Sequence, residues 1–196
     1  MAVTAGHARA SFDLKSATLP LIAVLLKTAD LAELAEALQA RLGDTPDFFE
    51  QDPVLVDLAP VAESDEAIDF PALILLLRSY RVVPLAVRGG SAAQMEAALA
   101  AGDVASLLIA PEVATTAELQ AIAEALVPIA QRHDVAALVL GDSRVMGRAH
   151  ADGIHIEAGG AALKEAIEAL QPKSIVGAGN IRVRHEAMEA GEAGAD

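Results

Sequence analysis

His155, Asp142, Glu157 and the run Gly177-Ala178-Gly179-Asn180 are the places where this chain could gather chemistry. His155 ends the apolar run Gly153–Ile156, Glu157 follows it, and Asp142 follows the apolar run Ala136–Leu140. His155 and Asn180 are therefore the catalytic candidates. The glycine-rich run precedes a helical pattern, where backbone N–H groups could bind an anion. Each feature also has a structural explanation: a hydrogen-bonded strand-end histidine, an aspartate capping the turn it opens, and a glycine-rich αβ turn. His133, His150 and His185 share no ligand spacing and read as surface residues. With no cysteine there is no thiolate nucleophile, disulfide or cysteine zinc site.

A second kind of candidate lies toward the N-terminus. Lys15 and Arg41 are among few cations, and one ring of the Phe48–Phe49 pair could face water from a polar turn. A cationic rim around an aromatic anchor suits a partner-binding patch. The alternative is that both rings staple the turn to the core and the cations are simply solvated.

Composition sets the limits on what positions these residues. The 196 residues are 54% hydrophobic but only 3% aromatic, so a substantial core can form and must be aliphatic. A net charge of −14 argues against nucleic acid, whose phosphates want clustered Lys and Arg. The longest apolar stretch, Ala17 to Leu26, is broken by Pro20 and falls short of the ~20 residues a bilayer span needs. It reads as a buried strand, with no membrane insertion. Residues 1–10 read as a disordered lead-in without a targeting signal, and the expected location is cytoplasmic.

In the first half, Ser11–Lys15 and Leu19–Lys27 read as strands, the second apolar enough to be covered on both faces. Asp30 and Glu33 form a capping box for a helix with Leu31, Leu34, Leu38 and Leu42 on one stripe. Val54–Leu58 and Val82–Arg88 read as strands, Ala59–Ile68 as a loop, and Pro71–Tyr80 as a helix capped by Asp69. Ser91 and Gln94 form a second capping box. The helix they open, Gln94–Ala101, would serve either half.

The strings "FDLKSATLPLIAVLL", "TPDFFEQDPVLVDLAP" and "IDFPALILLLRSYRVVPLAVRGGS" together resemble the N-terminal domain of the bacterial septum-site-determining MinC family. The resemblance implies a domain over residues 11–102 that antagonises polymers of the division protein FtsZ. It places the contact on Lys15, Ser16, Arg41 and Phe48, with Ser16 standing where the family usually has glycine. Nothing after Gly102 resembles the family's C-terminal β-helical domain, which dimerises and docks on the membrane-bound ATPase MinD. Loss of that avidity, worth about 10²–10⁴, would impair inhibition.

In the second half strands and helices alternate without hairpin signals, implying βαβ crossovers and a parallel sheet. Strands are expected at Val104–Ala110, Ala136–Leu140, Gly153–Ile156 and Ile175–Gly177. Helices are expected from the Thr115–Glu118 capping box through Gln131, over Ala161–Leu170, and over Arg184–Ala193; Asp142–Ala149 reads as a short helix or turn. The strings "HADGIHIEAG" and "IVGAGNIRVRHEAMEAGEAGAD" resemble thiamine-phosphate synthase, a (β/α)₈ barrel family. By that register residues 103–196 are a half-barrel equivalent to strands two to five. The resemblance implies that Asp142 would be the acidic group for a magnesium diphosphate. Magnesium is the sole cofactor expected, and only on this reading. Glu157-Ala158 replaces the usual Gly-Gln after the histidine, and Gly177–Asn180 the usual Ser or Thr, as in a non-catalytic relative.

The fold class expected is therefore α/β: a MinC-like domain continuing into a parallel βαβ half-barrel. Val104–Ala110 is expected to serve both halves, making one unbroken sheet, mixed in its first part. Open edges invite homo-oligomerisation. Division inhibition through FtsZ, synthase-like catalysis and a scaffold without ligand are the three functions compatible with the sequence.

Overall fold

The computed structural model describes residues 22–196 apart from residues 44, 46, 47, 65, 103, 113 and 158. Along them runs a strict alternation: β1 (Ile22–Leu25), α1 (Leu31–Leu42), β2 (Asp52–Asp57), α2 (Phe70–Ser79), β3 (Val82–Arg88), α3 (Ala92–Ala100), β4 (Ser106–Ile109), α4 (Thr116–Arg132), β5 (Ala136–Leu140), α5 (Ser143–Ala149), β6 (Gly153–Ile156), α6 (Ala161–Leu170), β7 (Ile175–Ala178) and α7 (Arg184–Ala193). The loop expected at 59–68 contains a 3₁₀ turn over Ala59–Ser64. The strand expected at Ser11–Lys15 lies outside the described residues.

All described strands pair in parallel, in chain order, but in two sheets: β1-β2-β3 and β4-β5-β6-β7. The unbroken sheet expected from the sequence is not formed. β4 pairs with β5 and not with β3, and continuity runs through a helix instead. α3 places Ala98 in the first core, beside Val56, Leu73 and Leu77, and Leu99 in the second, beside Leu107, Ala123 and Val127. Each fully buried Leu or Val contributes about 1.5–3 kcal/mol, so a helix feeding both cores couples them. The surface pair Arg132–Glu96, 2.8 Å, adds little to the α3–α4 contact.

The local reasons for these elements are legible. Ser91 and Gln94 cap α3 reciprocally, as Thr115 and Glu118 cap α4. Asp69 accepts from Ala72 N at the start of α2, with Pro71 in the first turn. α1 departs from expectation. Asp30 accepts from Ala32 N and Glu33 N, but Glu33 takes the Thr28 hydroxyl instead of reaching back. Pro128 lies within α4, which continues to Arg132.

Each sheet buries one face. In the second, Leu107, Ile109, Ala137, Val139, Ile154 and Val176 point into the core shared with the helices. The opposite face carries Leu108, Leu138, His155 and Ile175, and Leu108 is 42% exposed. β1 was expected to be covered on both faces, yet Ile22 and Leu25 are exposed. The helices of the first unit pack on Val54, Val56 and Leu58, and among the described residues none covers Leu25 and Leu85, which are exposed.

Candidate functional site

The C-terminal ends of β5, β6 and β7 bring the candidate residues to one rim. Asp142 is spoken for locally: its Oδ1 accepts from Arg144 N and Val145 N, both at 3.0 Å, and caps α5. His155 pairs across the sheet with Leu140 on one side and Gly177 on the other. Its ring lies directly over β7. A Cβ at Gly177 would sit 2.8 Å from His155 Nδ1, and one at Gly179 would collide with His155 Nε2. Glycine is needed at both positions because the imidazole occupies the space a side chain would take. Among the described residues its ring nitrogens make no hydrogen bond, so the sequence expectation of a hydrogen-bonded strand-end histidine becomes a packed one.

Asn180 lies two residues past the end of β7. It adopts a left-handed backbone, φ 56°, and lines a cleft of about 520 Å³ between the β6–α6 and β7–α7 loops. Ile156, Leu163, Ala178 and Ala190 form the apolar floor; Glu157, Lys164 and Arg182 stand at the rim. Ile156 and Ala178 are one residue on from His155 and Gly177, and strand alternation puts them on the helix-covered side. Gly179, against which the His155 ring packs, itself lines the cleft beside Asn180. Arg182 Nε donates to Asn180 Oδ1 at 3.2 Å, while Glu186 accepts from the backbone N–H groups of Arg182 and Val183. Those two backbone bonds hold the Glu186 carboxyl below its ordinary pKa.

Of the partner-binding candidates, Arg41 and Phe48 lie in the α1–β2 region of the first unit. Phe48 is 62% exposed and meets Phe49 edge-to-face, centroids 4.9 Å apart, while Phe49 packs on the core. One ring staples and the other faces water. Arg41 is exposed in the last turn of α1. Lys15 and Ser16 lie outside the described residues. Tyr80 Oη donates to Gln39 Oε1 at 3.3 Å, and Gln51 N donates to Arg81 O at 3.0 Å. These bonds bring Arg78 and Arg81 to the same end of the unit, two cations that sequence reasoning did not join to the corner.

Two further polar centres went unread. Gln94 is 1% exposed and is satisfied by distant backbone: Nε2 donates to Val61 O and Glu66 O, and Oε1 accepts from Ser91 N. Asp57, 6% exposed, accepts from Ala59 N and from Arg88 Nε and Nη2. The Ala59 hydrogen bond first, and Arg88 second, hold its carboxyl below the ordinary value. The Arg88 partner is largely exposed, so solvent screens that pair.

Parallel βα units in chain order, with glycine-rich turns at strand ends, define an α/β protein of the singly wound type. A family model described as thiamine monophosphate synthase matches residues 80–196, more than half of the chain, and the chain belongs to that family. A second model, septum formation inhibitor MinC, N-terminal domain, matches residues 12–84, and the two matches overlap where β3 begins. The probable septum site-determining protein MinC of Bordetella petrii is 44% identical over 101 residues, 52% of this chain and 35% of that protein. Thiamine-phosphate synthase of Erythrobacter litoralis is 39% identical over 119 residues, 60% of this chain and 56% of that protein. The chain thus spans about a third of the first relative and just over half of the second. Thiamine phosphate pyrophosphorylase from Pyrococcus furiosus superposes with a TM-score of 0.46 at 28% identity, covering 52% of this chain and 48% of that one.

The magnesium implied by synthase ancestry does not fit the residues present. A hard cation wants several oxygen ligands. Asp142 is engaged as a helix cap, and among the described residues no three metal-binding side chains converge.

Proposed function

We propose that the chain is a cell-division inhibitor-like module of the cytoplasm that contacts FtsZ through the α1–β2 corner. Phe48 is the apolar anchor and Arg41 the cation beside it, with Lys15 and Ser16 contributing from the segment before β1. The observation that carries this reading is the exposed Phe48 ring held edge-on by a packed Phe49. Exposing one large ring while burying its neighbour costs hydrophobic stabilisation, which a binding surface explains. Similarity of residues 12–84 to the MinC N-terminal domain supplies the partner.

Sedimentation of FtsZ polymers with the purified chain tests this. The wild-type is expected to lower the polymer pelleted, and Phe48→Ala to need at least ~10-fold more protein for the same effect. Equal pellets with and without the chain would remove the proposal.

The family match over residues 80–196 favours a second reading, a thiamine-phosphate synthase-like transferase. Its assay is formation of thiamine phosphate from the pyrimidine diphosphate and thiazole phosphate with magnesium. With Asp142 engaged as a cap and His155 packed on glycine, no turnover is expected, which leaves the second half as scaffold.

A further inference from the structure

We propose that Gln51 is the positioning residue that turns Phe48 outward, and that it acts through its left-handed backbone and not through its side chain. Successive residues of a strand point to opposite faces. In β2, Val54 and Val56 lie in the first core and Leu55 between them does not. Carried back along an extended chain, that alternation would send Phe48 toward the core and Phe49 away from it. The structure has the reverse: Phe49 packs on the core, and Phe48 is 62% exposed. A break in phase therefore lies between the two rings and the strand. It falls at Gln51, whose φ is 66°.

Local structure does not account for that conformation. Among the described residues, Arg81, Asp134, His150 and Asn180 are also left-handed. Arg81, Asp134 and His150 stand at the C-terminal ends of α2, α4 and α5, where a left-handed residue commonly stops a helix. Asn180 is of a type whose short polar side chain supports the conformation. Gln51 ends no helix and stands directly before β2. Its N–H donates to Arg81 O at 3.0 Å, one residue ahead of the first β2–β3 pair, Asp52 with Val82. On the other side of the rings, Phe48 N donates to Thr45 O at 3.0 Å and Thr45 N to Leu42 O at 2.9 Å, tying the turn to the end of α1. A left-handed glutamine and an exposed phenylalanine, both unfavourable alone, thus fall together in residues 48–51. Such strain persists where the surroundings enforce it, and it clusters at ligand contacts. An aromatic anchor already fixed in place loses little freedom when a partner closes over it.

The choice of FtsZ as partner rests on the function proposed above, whereas the placement of the rings does not, and the test separates the two. FtsZ affinity is measured by calorimetric titration with the full chain and its variants, and proton NMR follows the Phe48 and Phe49 rings in each. Gln51→Gly keeps the backbone conformation and removes the side chain. It should bind within ~2-fold of wild-type, with Tm no lower. Gln51→Val resists a positive φ. It should bind at least ~10-fold more weakly, as Phe48→Ala does, and lose the edge-to-face contact of the rings. If Phe48→Ala is weakened but Gln51→Val binds like wild-type, or Gln51→Gly and Gln51→Val are equally weak, the proposal is overturned and the corner reading stands. If the wild-type does not bind FtsZ, the corner reading falls and NMR alone decides. A ring contact kept in Gln51→Gly and lost in Gln51→Val then upholds the positioning role; the same result in both overturns it. Should Gln51→Val not fold, nuclear Overhauser effects in the wild-type decide. Phe49 protons reaching core methyl groups, with Phe48 protons reaching none, uphold the inversion, and the opposite pattern overturns it.

Discussion

Replacing Gln94 tests the joint between the two units. Its carboxamide reaches backbone carbonyls 33 and 28 residues away, at 3.1 Å to Val61 O and 3.0 Å to Glu66 O, from a helix that also feeds the second core. Gln94→Ala removes the hydrogen bonds to Val61 O and Glu66 O, worth about 1–3 kcal/mol together, while Val61 O keeps the Ser64 hydroxyl as a donor. The vacated volume adds about 1 kcal/mol more. Glu66 O and Ser91 N are nearer solvent and should recover water. The sum is about 2–4 kcal/mol, which for a chain of this size lowers Tm by roughly 4–16 °C. Gln94→Leu keeps the volume but not the donor, and should lose about 1–3 kcal/mol through the hydrogen bonds alone. Urea and thermal unfolding followed by circular dichroism give both values. A Gln94→Leu protein within about 0.5 kcal/mol of wild-type would refute the reasoning, because that is the scale of substitutions that break nothing.

Gly179→Ala should cost roughly 1–3 kcal/mol, because its methyl would occupy the His155 ring position, and proton NMR should show the imidazole displaced. An unmoved ring would contradict the packing described. Asp142→Ala should cost about 1 kcal/mol through the lost α5 cap, with magnesium shifting Tm in neither wild-type nor variant. The Asp57 pKa is depressed on folding, so its contribution is present above the unfolded pKa and lost as pH falls through the folded one. Acid titration of wild-type against Asp57→Asn should therefore show the larger fall in Tm for wild-type below about pH 4.

Much of the fold could be read directly from the sequence because its signals are local. β3, β5, β6, α6 and α7 fall on the expected residues, bounded by glycine, proline or a charged turn. The α3 and α4 capping boxes are four-residue patterns and appear as expected. What escaped depends on distant residues. Whether β4 pairs with β3 is decided by the packing of α3 between two cores, and no short motif encodes that. Gln94 read as a cap, and its partners 28 and 33 residues away were invisible. The same holds for His155, whose surroundings are two glycines of the next strand. At the α1–β2 corner the sequence indicated that one ring could face water, and the structure makes it Phe48.

Differential scanning calorimetry addresses the central claim, that α3 joins the two units into one cooperative structure. A single transition is predicted, with calorimetric and van't Hoff enthalpies in agreement, and both Gln94→Leu and Leu99→Ala should move it as a whole. Two resolved transitions, with Gln94→Leu lowering one and Leu99→Ala the other, would show that the units fold independently and contradict the account.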